Sequence, residues 1–238
     1  MILPLLEDGL KAMGLEQSVP AEAAAQLDRY ARLLLEKNQV MNLTAIKEPE
    51  QVARLHMLDC AAMLNYMDFA GKQLVDVGTG AGFPGMVLKI LVPSLEVTLL
   101  DSLNKRLDWL NEVREELGLT GIRTLHCRAE EAGGNPALRE RFDFATARAV
   151  AELRVLSELC LPLVKVGGSF LAMKSIESDE ELSGAGQAVR LLGGTAETPR
   201  DYPIPGTDIQ HRLIVIKKIC KTPQKYPRAF AKIKKNPL

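Results

Sequence analysis

The chain has 238 residues, of which 47% are hydrophobic, and its 30 basic residues balance its 30 acidic residues. This length predicts one large domain, or one domain with an appendage, around a sizeable core. The composition excludes a transmembrane protein, since no apolar run approaches the roughly 20 residues that cross a bilayer. The acidic N-terminus excludes a signal peptide, and four widely spaced cysteines without a CxxC pair favour a reduced, cytoplasmic protein with no metal site.

Residues 1–70 are predicted to form an N-terminal helical extension. In the stretch AAAQLDRYARLLLEK, the side chains of Leu27, Tyr30, Ala31 and Leu34 recur at helical spacing and form one apolar stripe. A second helix is expected over about 50–66, after the break NLTAIKEPE. Two helices therefore precede the first strand.

From residue 72 the pattern changes to alternating strands and helices. Repeated β-α units make a parallel sheet that helices cover on both faces. We therefore predict an α/β fold, a Rossmann-like doubly wound sheet, in a domain of residues 71–220. The helix LNKRLDWLNEVREEL should carry Leu103, Leu107 and Leu110 on its inner face. The predicted strands are 73–77, 95–101, 122–127, 142–148, 167–174, 192–202 and 211–219, and the predicted helices are 84–91, 103–117, 150–161 and 178–190.

The zero net charge conceals an asymmetry along the chain. After Asp208 there is no acidic residue but there are nine basic ones, which indicates a polyanionic partner. A solvated tail that merely aids solubility is the alternative. Residues 221–238 are predicted to be a loosely structured basic tail, free to follow a phosphate backbone. In a competing interpretation the segment KTPQKYPR folds back against the sheet, with Tyr226 as an anchor.

A glycine-rich loop, LVDVGTGAGFPG, follows the first predicted strand. Gly78, Gly80 and Gly82 lack Cβ atoms, so they can adopt positive φ and let the backbone approach a ligand closely. Pro84 fits the first turn of the helix that follows. In open α/β sheets, ligands bind at the carboxyl ends of the strands. The loop therefore predicts a site for a nucleotide-like cofactor.

Two cofactors are compatible with this loop. The stretch GAGFPG satisfies the dinucleotide pattern G-x-G-x-x-G, whereas DVGTGAG, with Asp76 two residues before the first glycine, equally fits an S-adenosylmethionine loop. Both need an acid at the end of the next strand to bind the ribose, and Asp101 supplies it. A purely structural turn could also mimic the loop. The preceding helices, the lack of a second catalytic domain and the acids of CRAEE at the end of the third strand favour methyl transfer.

Several motifs together give the chain a specific resemblance. The stretches MNLTAI, RLHMLDC, LVDVGTGAGFPG, LLDSLNKRLDWL, CRAEE, ARAVAEL, LAMKS and KTPQKYPR occur in this order. In this they resemble the bacterial family of 16S rRNA guanine-N7 methyltransferases, also called RsmG or glucose-inhibited division protein B. The resemblance implies a class I methyltransferase fold and transfer of the methyl group of S-adenosylmethionine to N7 of guanine 527. It also implies the small ribosomal subunit as the partner, a monomer, and no membrane partner.

The resemblance assigns roles to individual residues. It places Arg148 near the methyl group as a positioning residue, and it implies no side chain that acts as acid or base; a salt bridge from Arg148 to Glu130 or Glu131 is the structural alternative. His56 and Asp59 lie on one helix face, where they could meet each other or the RNA. The implied cofactor-binding residues are Asp76, Gly78, Gly80, Gly82, Phe83, Asp101, Ala129, Glu130 and Arg148. The implied RNA-binding residues are Asn42, His56, Asp59, Arg128, Lys174, Lys221, Lys225 and Arg228.

The chemistry of guanine N7 is consistent with the residue types at the predicted site. N7 is an unprotonated lone pair, so its attack on a methyl group leaves no proton to remove. The stretch DFATARAV after the fourth strand contains neither a cysteine nucleophile nor an Asn/Asp-Pro-Pro turn. An NAD(P)-dependent oxidoreductase and an RNA-binding module with a vestigial cofactor loop are the alternative functions.

Overall fold

A computed structural model describes residues 2–148 and 151–238. Its N-terminal part is helical, as predicted, but it contains one helix more than the two expected. This additional helix, α1, spans Leu3–Ala12 and precedes the predicted helix α2, Ala23–Met41. The helical segment predicted over 50–66 begins with α3, Pro49–Val52, and continues through a π-helical stretch, α4 and a 3₁₀ turn. The π-helical stretch is Ala53–Leu58, α4 is Asp59–Ala61, and the 3₁₀ turn is Ala62–Asn65.

The rest of the described chain alternates strands and helices around one sheet, which confirms the predicted α/β fold. The strands are β1 Gln73–Val77, β2 Glu96–Asp101, β3 Ile122–His126, β4 Phe142–Arg148, β5 Val164–Ser175, β6 Gly194–Ala196, β7 Arg200–Pro203 and β8 Gln210–Lys218. The helices are α5 Gly85–Leu91, α6 Asn104–Glu116, α7 Ala129–Gly134, α8 Leu153–Cys160, α9 Asp179–Leu191 and α10 Phe230–Lys235. Residue 150, where the predicted helix 150–161 begins, lies outside the described residues.

The order of the strands fixes where a ligand can bind. The sheet runs β3-β2-β1-β4-β5-β8-β6, and β7 pairs with β8 outside this path. The pairs from β3 through β5 are parallel, and β8 is antiparallel to β5. The chain turns from β1 outward to β2 on one side and later to β4 on the other, so the switch point lies between β1 and β4. A crevice is expected outside the carboxyl ends of these strands.

Two hydrophobic clusters cover the two faces of the sheet. Along β1, Leu74 faces the cluster that includes Leu27 and Leu34 of α2, whereas Val75 and Val77 face the cluster on the other side. The N-terminal helices thus share a core with one face of the sheet. The domain boundaries at 70/71 and 220/221 stay predictions.

The prediction for the inner face of α6 is wrong for one residue. Leu107 and Leu110 are buried, but Leu103 is 43% exposed, because α6 begins only at Asn104 and Leu103 lies in the preceding loop. Pro84 likewise precedes α5 instead of lying in its first turn. The strand predicted over 192–202 forms two short strands, β6 and β7.

The prediction of a loosely structured C-terminal tail is wrong. Thr222, Tyr226 and Ile233 are buried, and the chain ends in the short helix α10. Arg228 forms an ion pair with Glu158, whose side chain is fully buried in α8, at 2.6 Å. The competing interpretation, in which KTPQKYPR folds back with Tyr226 inside, describes the structure. None of the described helices is both long and apolar enough to span a membrane.

Candidate cofactor and substrate cleft

A cleft of about 510 Å³ opens at the carboxyl ends of β1 to β4. Its walls come from the glycine loop, from the ends of β2 and β3, and from the loop after α2. The predicted site residues among its lining are His56, Gly78, Gly80, Phe83, Asp101, Arg128, Ala129, Glu130 and Arg148. The volume lies within the range of roughly 300–1,000 Å³ that small-molecule sites occupy.

Asp76 supports the glycine loop from below. It is fully buried, and its Oδ2 accepts hydrogen bonds from the Thr79 hydroxyl at 2.6 Å and the Gly85 N–H at 3.0 Å. Burial raises the pKa of Asp76 to about 6, although both hydrogen bonds oppose this shift. Its Oδ1 has no partner among the described residues. Asp76 is not among the residues that line the cleft, and its contacts hold the glycine loop from below. Its predicted cofactor-binding role stays a prediction.

The glycines of the loop have different surroundings. All three have positive φ, at 70° for Gly78, 58° for Gly80 and 89° for Gly82. A Cβ on Gly80 would meet no atom of the described residues nearer than 3.8 Å, so among these residues this position faces open space in the cleft. A Cβ on Gly82 would lie 2.4 Å from the Tyr30 hydroxyl and 2.8 Å from Leu110. The absence of a side chain at Gly82 therefore allows Tyr30 of α2 to pack on the loop. Gly82 is not among the residues that line the cleft.

Asp101 lies in the middle of the cleft, at the end of β2. Its carboxylate accepts hydrogen bonds from the Gly80 N–H and the Leu103 N–H, both at 2.9 Å, and Arg106 lies 3.4 Å from it. These contacts hold the carboxylate against the glycine loop. The position agrees with the predicted ribose-binding role, which stays a prediction.

Ala129 and Glu130 form one end of the cleft. They belong to the first turn of α7, so Glu130 does not end the third strand as predicted; β3 ends at His126. Cys127 and Phe230 of α10 also line the cleft. Phe230 was not among the predicted site residues, because only the folded tail brings it to the cleft.

Arg148 lies at the opposite end of the cleft, where its charge is paired. Its Nη1 contacts the buried Asp59 carboxylate at 3.2 Å, and its Nη2 lies 2.9 Å from His56 Nδ1. The expected alternative, a salt bridge to Glu130 or Glu131, is not the pairing that the structure gives. The Phe83 ring stacks on His56 at 4.6 Å between centroids, and Arg148 Cζ lies 4.9 Å from the same ring. His56, Asp59, Phe83 and Arg148 therefore form one cluster.

Two members of this cluster were missed by the sequence analysis. The Tyr202 hydroxyl donates to Asp59 Oδ1 at 2.9 Å, and His211 Nδ1 lies 2.8 Å from the same oxygen. They come from β7 and β8, more than 140 residues after Asp59 in the chain. No local spacing could have signalled them.

His56 is held in its neutral form. Burial, and then the neighbouring cation of Arg148, lower its pKa to about 4. Near neutral pH it therefore carries no charge. Of the pair Arg148 and His56, only Arg148 therefore carries a positive charge near neutral pH, and this charge is already paired with the Asp59 carboxylate.

The remaining predicted RNA-binding residues are scattered. Asn42, Lys221 and Lys225 are exposed, and Arg128 is exposed at the mouth of the cleft. Lys174 is bound to the Glu181 carboxylate at 2.5 Å and to the Ala151 carbonyl at 2.8 Å. Arg228 is engaged by Glu158. Four of the predicted RNA-binding side chains therefore bind other groups of the protein: His56, Asp59, Lys174 and Arg228.

Comparisons with known proteins agree on the type of protein. A family model described as rRNA small subunit methyltransferase G matches residues 23–200. Ribosomal RNA small subunit methyltransferase G of Alkaliphilus metalliredigens is 45% identical over 236 residues, covering 98% of each chain. The protein of the same name from Acetivibrio thermocellus is 47% identical, covering 98% of this chain and 96% of its own.

A solved structure shows the fold class. The SAM-dependent O-methyltransferase from Thermotoga maritima superposes with a TM-score of 0.53 at 17% identity, covering 80% of this chain and 72% of its own. At this identity the likeness concerns the fold. The predicted class I methyltransferase fold is therefore confirmed.

Proposed function

The chain belongs to the rRNA small subunit methyltransferase G family, and we propose that it methylates N7 of guanine 527 in 16S ribosomal RNA with S-adenosylmethionine. It is a methyltransferase with ribosomal RNA as its class of substrate. The small ribosomal subunit is accordingly the proposed partner, and we infer a monomer in the cytoplasm. An oxidoreductase, the main alternative from the glycine pattern, is excluded by the family.

The observation that carries the proposal is the cleft between the glycine loop and the Arg148 cluster. Gly80 leaves a cradle that a Cβ would fill, and the buried Asp101 carboxylate lies beside it. A carboxylate next to an open backbone loop fits a ribose and its neighbouring groups. When bound, S-adenosylmethionine supplies an electrophilic methyl group. Gly78, Gly80, Asp101 and Ala129 would hold the cofactor, while Asp76 shapes the loop beneath it.

The residues at the Arg148 end support a reaction without proton removal. His56 is neutral, and its Nδ1 faces a donor of Arg148, so this nitrogen is already engaged. Guanine N7 needs no base, and its attack needs orientation. Fixing two reactants in line can lower a barrier by roughly 7–11 kcal/mol in favourable systems. The proposed role of Arg148 is to fix the wall formed by His56 and Phe83, against which the base would be oriented.

The test is direct methylation with mapping of the product. Unmethylated 16S ribosomal RNA, naked or in small subunits, would be incubated with the protein and S-adenosylmethionine carrying a labelled methyl group. We expect one methyl group at guanine 527, detected by chemical cleavage of the chain at N7-methylguanine. Label on another base, or on another atom of that guanine, would disprove the proposal.

The two glycines that differ in surroundings give a first prediction. Gly80→Ala should weaken binding of S-adenosylmethionine about tenfold or more, since its methyl group would enter the cradle, at a stability cost of only about 1–2 kcal/mol. Gly82→Ala should instead destabilise the protein by about 2–4 kcal/mol, since its methyl group would overlap Tyr30 and Leu110. Calorimetric binding and denaturant unfolding measure the two effects.

Gly14→Ala is the matched control. Gly14 also has positive φ, at 70°, and no other atom that the structure describes lies within 4 Å of its added Cβ. This substitution measures the backbone strain alone. If Gly80→Ala bound the cofactor as tightly as Gly14→Ala, the open side of Gly80 would not be the cofactor cradle.

A second prediction concerns pH. Because the pKa of His56 is about 4, this side chain stays neutral between about pH 6.5 and 8.5. With cofactor and RNA saturating, single-turnover methylation should therefore be nearly constant across this interval. The rate would be measured by rapid quench at several pH values. A steep limb near neutrality that disappears in His56→Gln would show that His56 acts as a base.

A further inference from the structure

The loop after α2 is fixed against the cleft by one buried side chain. Asn38 Oδ1 accepts hydrogen bonds from the Leu43 N–H at 2.6 Å and the Thr44 N–H at 2.9 Å. Its Nδ2 donates to the Thr44 carbonyl at 3.0 Å. Thr44 lines the cleft beside His56, Phe83 and Arg148. Its side chain is therefore held in place at the Arg148 end.

The contacts of His56 determine which of its nitrogens carries the hydrogen. Its Nδ1 lies 2.9 Å from Arg148 Nη2, which can only donate, and 3.1 Å from the Leu55 carbonyl, which can only accept. That carbonyl already accepts from Arg148 Nη1 at 3.1 Å, and an N–H of Nδ1 facing the nearer, cationic guanidinium would be repelled. We therefore assign the lone pair of the neutral ring to Nδ1. The hydrogen then lies on Nε2, which is 2.8 Å from Thr44 Oγ1 and donates to it.

This assignment leaves the Thr44 hydroxyl with a free donor. Its oxygen accepts one hydrogen bond from His56 Nε2–H and another from the Ile46 N–H at 3.1 Å. A hydroxyl oxygen has two lone pairs, so both are occupied. The hydroxyl hydrogen has no acceptor in the part of the chain that the structure describes. A fixed hydroxyl that can only donate thus remains at the wall of the cleft.

The chemistry of guanine supplies the missing acceptor. The edge of guanine that carries N7 also presents O6, an acceptor, whereas adenine presents an N6 amino donor next to its N7. We propose that the Thr44 hydroxyl donates to O6 of the target guanine and thereby selects guanine over adenine. Both bases carry a reactive N7, so discrimination needs a group that reads another position, and position 6 lies beside N7 on the same edge. A donor at O6 also leaves the N7 lone pair free to attack. This inference rests on the proposed function.

The experiment is a double-mutant cycle between the protein hydroxyl and the base oxygen. Wild-type protein and Thr44→Val are each given RNA with guanine or with 2-aminopurine at the target position, in whichever form of RNA the wild type methylates. 2-Aminopurine keeps N7 and lacks O6. Single-turnover rates, the affinity for S-adenosylmethionine and the melting temperature are measured for both proteins, and Thr44→Ser serves as the conservative control.

We expect the wild type to lose about tenfold in rate when O6 is removed, and Thr44→Val to lose about tenfold on guanine RNA. On 2-aminopurine RNA the two proteins should react at the same rate, and Thr44→Ser should behave as the wild type on both RNAs. Cofactor affinity should not change.

Three results would overturn the inference. An equal loss of rate for Thr44→Val on both RNAs would show that the hydroxyl does not act through O6. A weaker affinity of the same variant for S-adenosylmethionine would then show that the hydroxyl contacts the cofactor. A wild type that methylates both RNAs equally would refute the contact even if Thr44→Val failed to fold. No methyl transfer by the wild type to guanine RNA in any form would refute the proposed function itself and the contact with it.

Discussion

Asp59→Ala is expected to destabilise the protein by about 3–5 kcal/mol and to reduce methyl transfer strongly. Asp59 is 1% exposed, and its carboxylate accepts from Arg148, Tyr202 and His211. Removing one partner of a buried ion pair leaves the other charge without compensation, and that uncompensated charge is the origin of the cost. The free energy of unfolding, obtained from urea denaturation, measures the effect on stability.

The same substitution should affect the cleft beyond its effect on stability. Arg148 also orients His56, so a displaced guanidinium would release the ring that holds Thr44. We expect the loss of rate to persist at a temperature where the variant is fully folded. Asp68→Ala is the control, because Asp68 is exposed and, within the described part of the chain, accepts only from the nearby Ala70 N–H. A loss of stability no larger than that of Asp68→Ala would contradict the buried network.

Truncation after Cys220 is expected to lower the melting temperature and the cofactor affinity together. It would remove the buried Tyr226 and Ile233, and it would leave Glu158 buried without its partner Arg228. A buried charge deprived of its partner costs about 3–5 kcal/mol, and loss of the apolar side chains adds to this. Phe230 would leave the cleft wall as well. Thermal melting and calorimetric titration with S-adenosylmethionine measure both effects.

Neutralising the lysines of α10 separates the structural role of the tail from a role in RNA binding. Lys232, Lys234 and Lys235 are exposed, so their replacement by glutamine should leave the fold and the cofactor affinity unchanged. If this helix contacts phosphates, RNA affinity should fall and its dependence on salt should flatten, since fewer counterions are released. Unchanged RNA affinity in this variant would place the RNA surface elsewhere. An unchanged melting temperature in the truncated protein would contradict the folded tail.

Most of the regular elements and the position of the cleft were predictable from the sequence, whereas the short helices α1, α7 and α10 were not. The apolar stripe of α2 identified its buried face, because helical periodicity is a local property of the chain. The glycine loop and Asp101 marked the cleft, because both follow parallel strands whose carboxyl ends meet at one edge of the sheet. The order of the motifs also indicated the family correctly. All of these signals lie within short segments.

The partners of the charged residues were decided by the tertiary structure alone. Nothing in the sequence near Arg148 indicates Asp59, and nothing near Asp59 indicates Tyr202 or His211. Such pairs form where burial makes an unpaired charge costly. The order of the strands in the sheet determines which segments meet there.

The basic C-terminal segment is the clearest case of a path that the sequence alone did not indicate. Its composition indicated a loosely structured tail that could follow a phosphate backbone, since charge density can be read residue by residue. Its path depends instead on Glu158, which is buried in α8 and needs a cation, and on Arg139, which donates to the carbonyls of Thr222 and Tyr226. The sequence thus determined the fold class, the family and the glycine loop. The folded tail, the buried Arg148 network and the free donor of Thr44 were decided by contacts between segments distant in the chain, because a buried polar group takes the partner that the fold brings within reach.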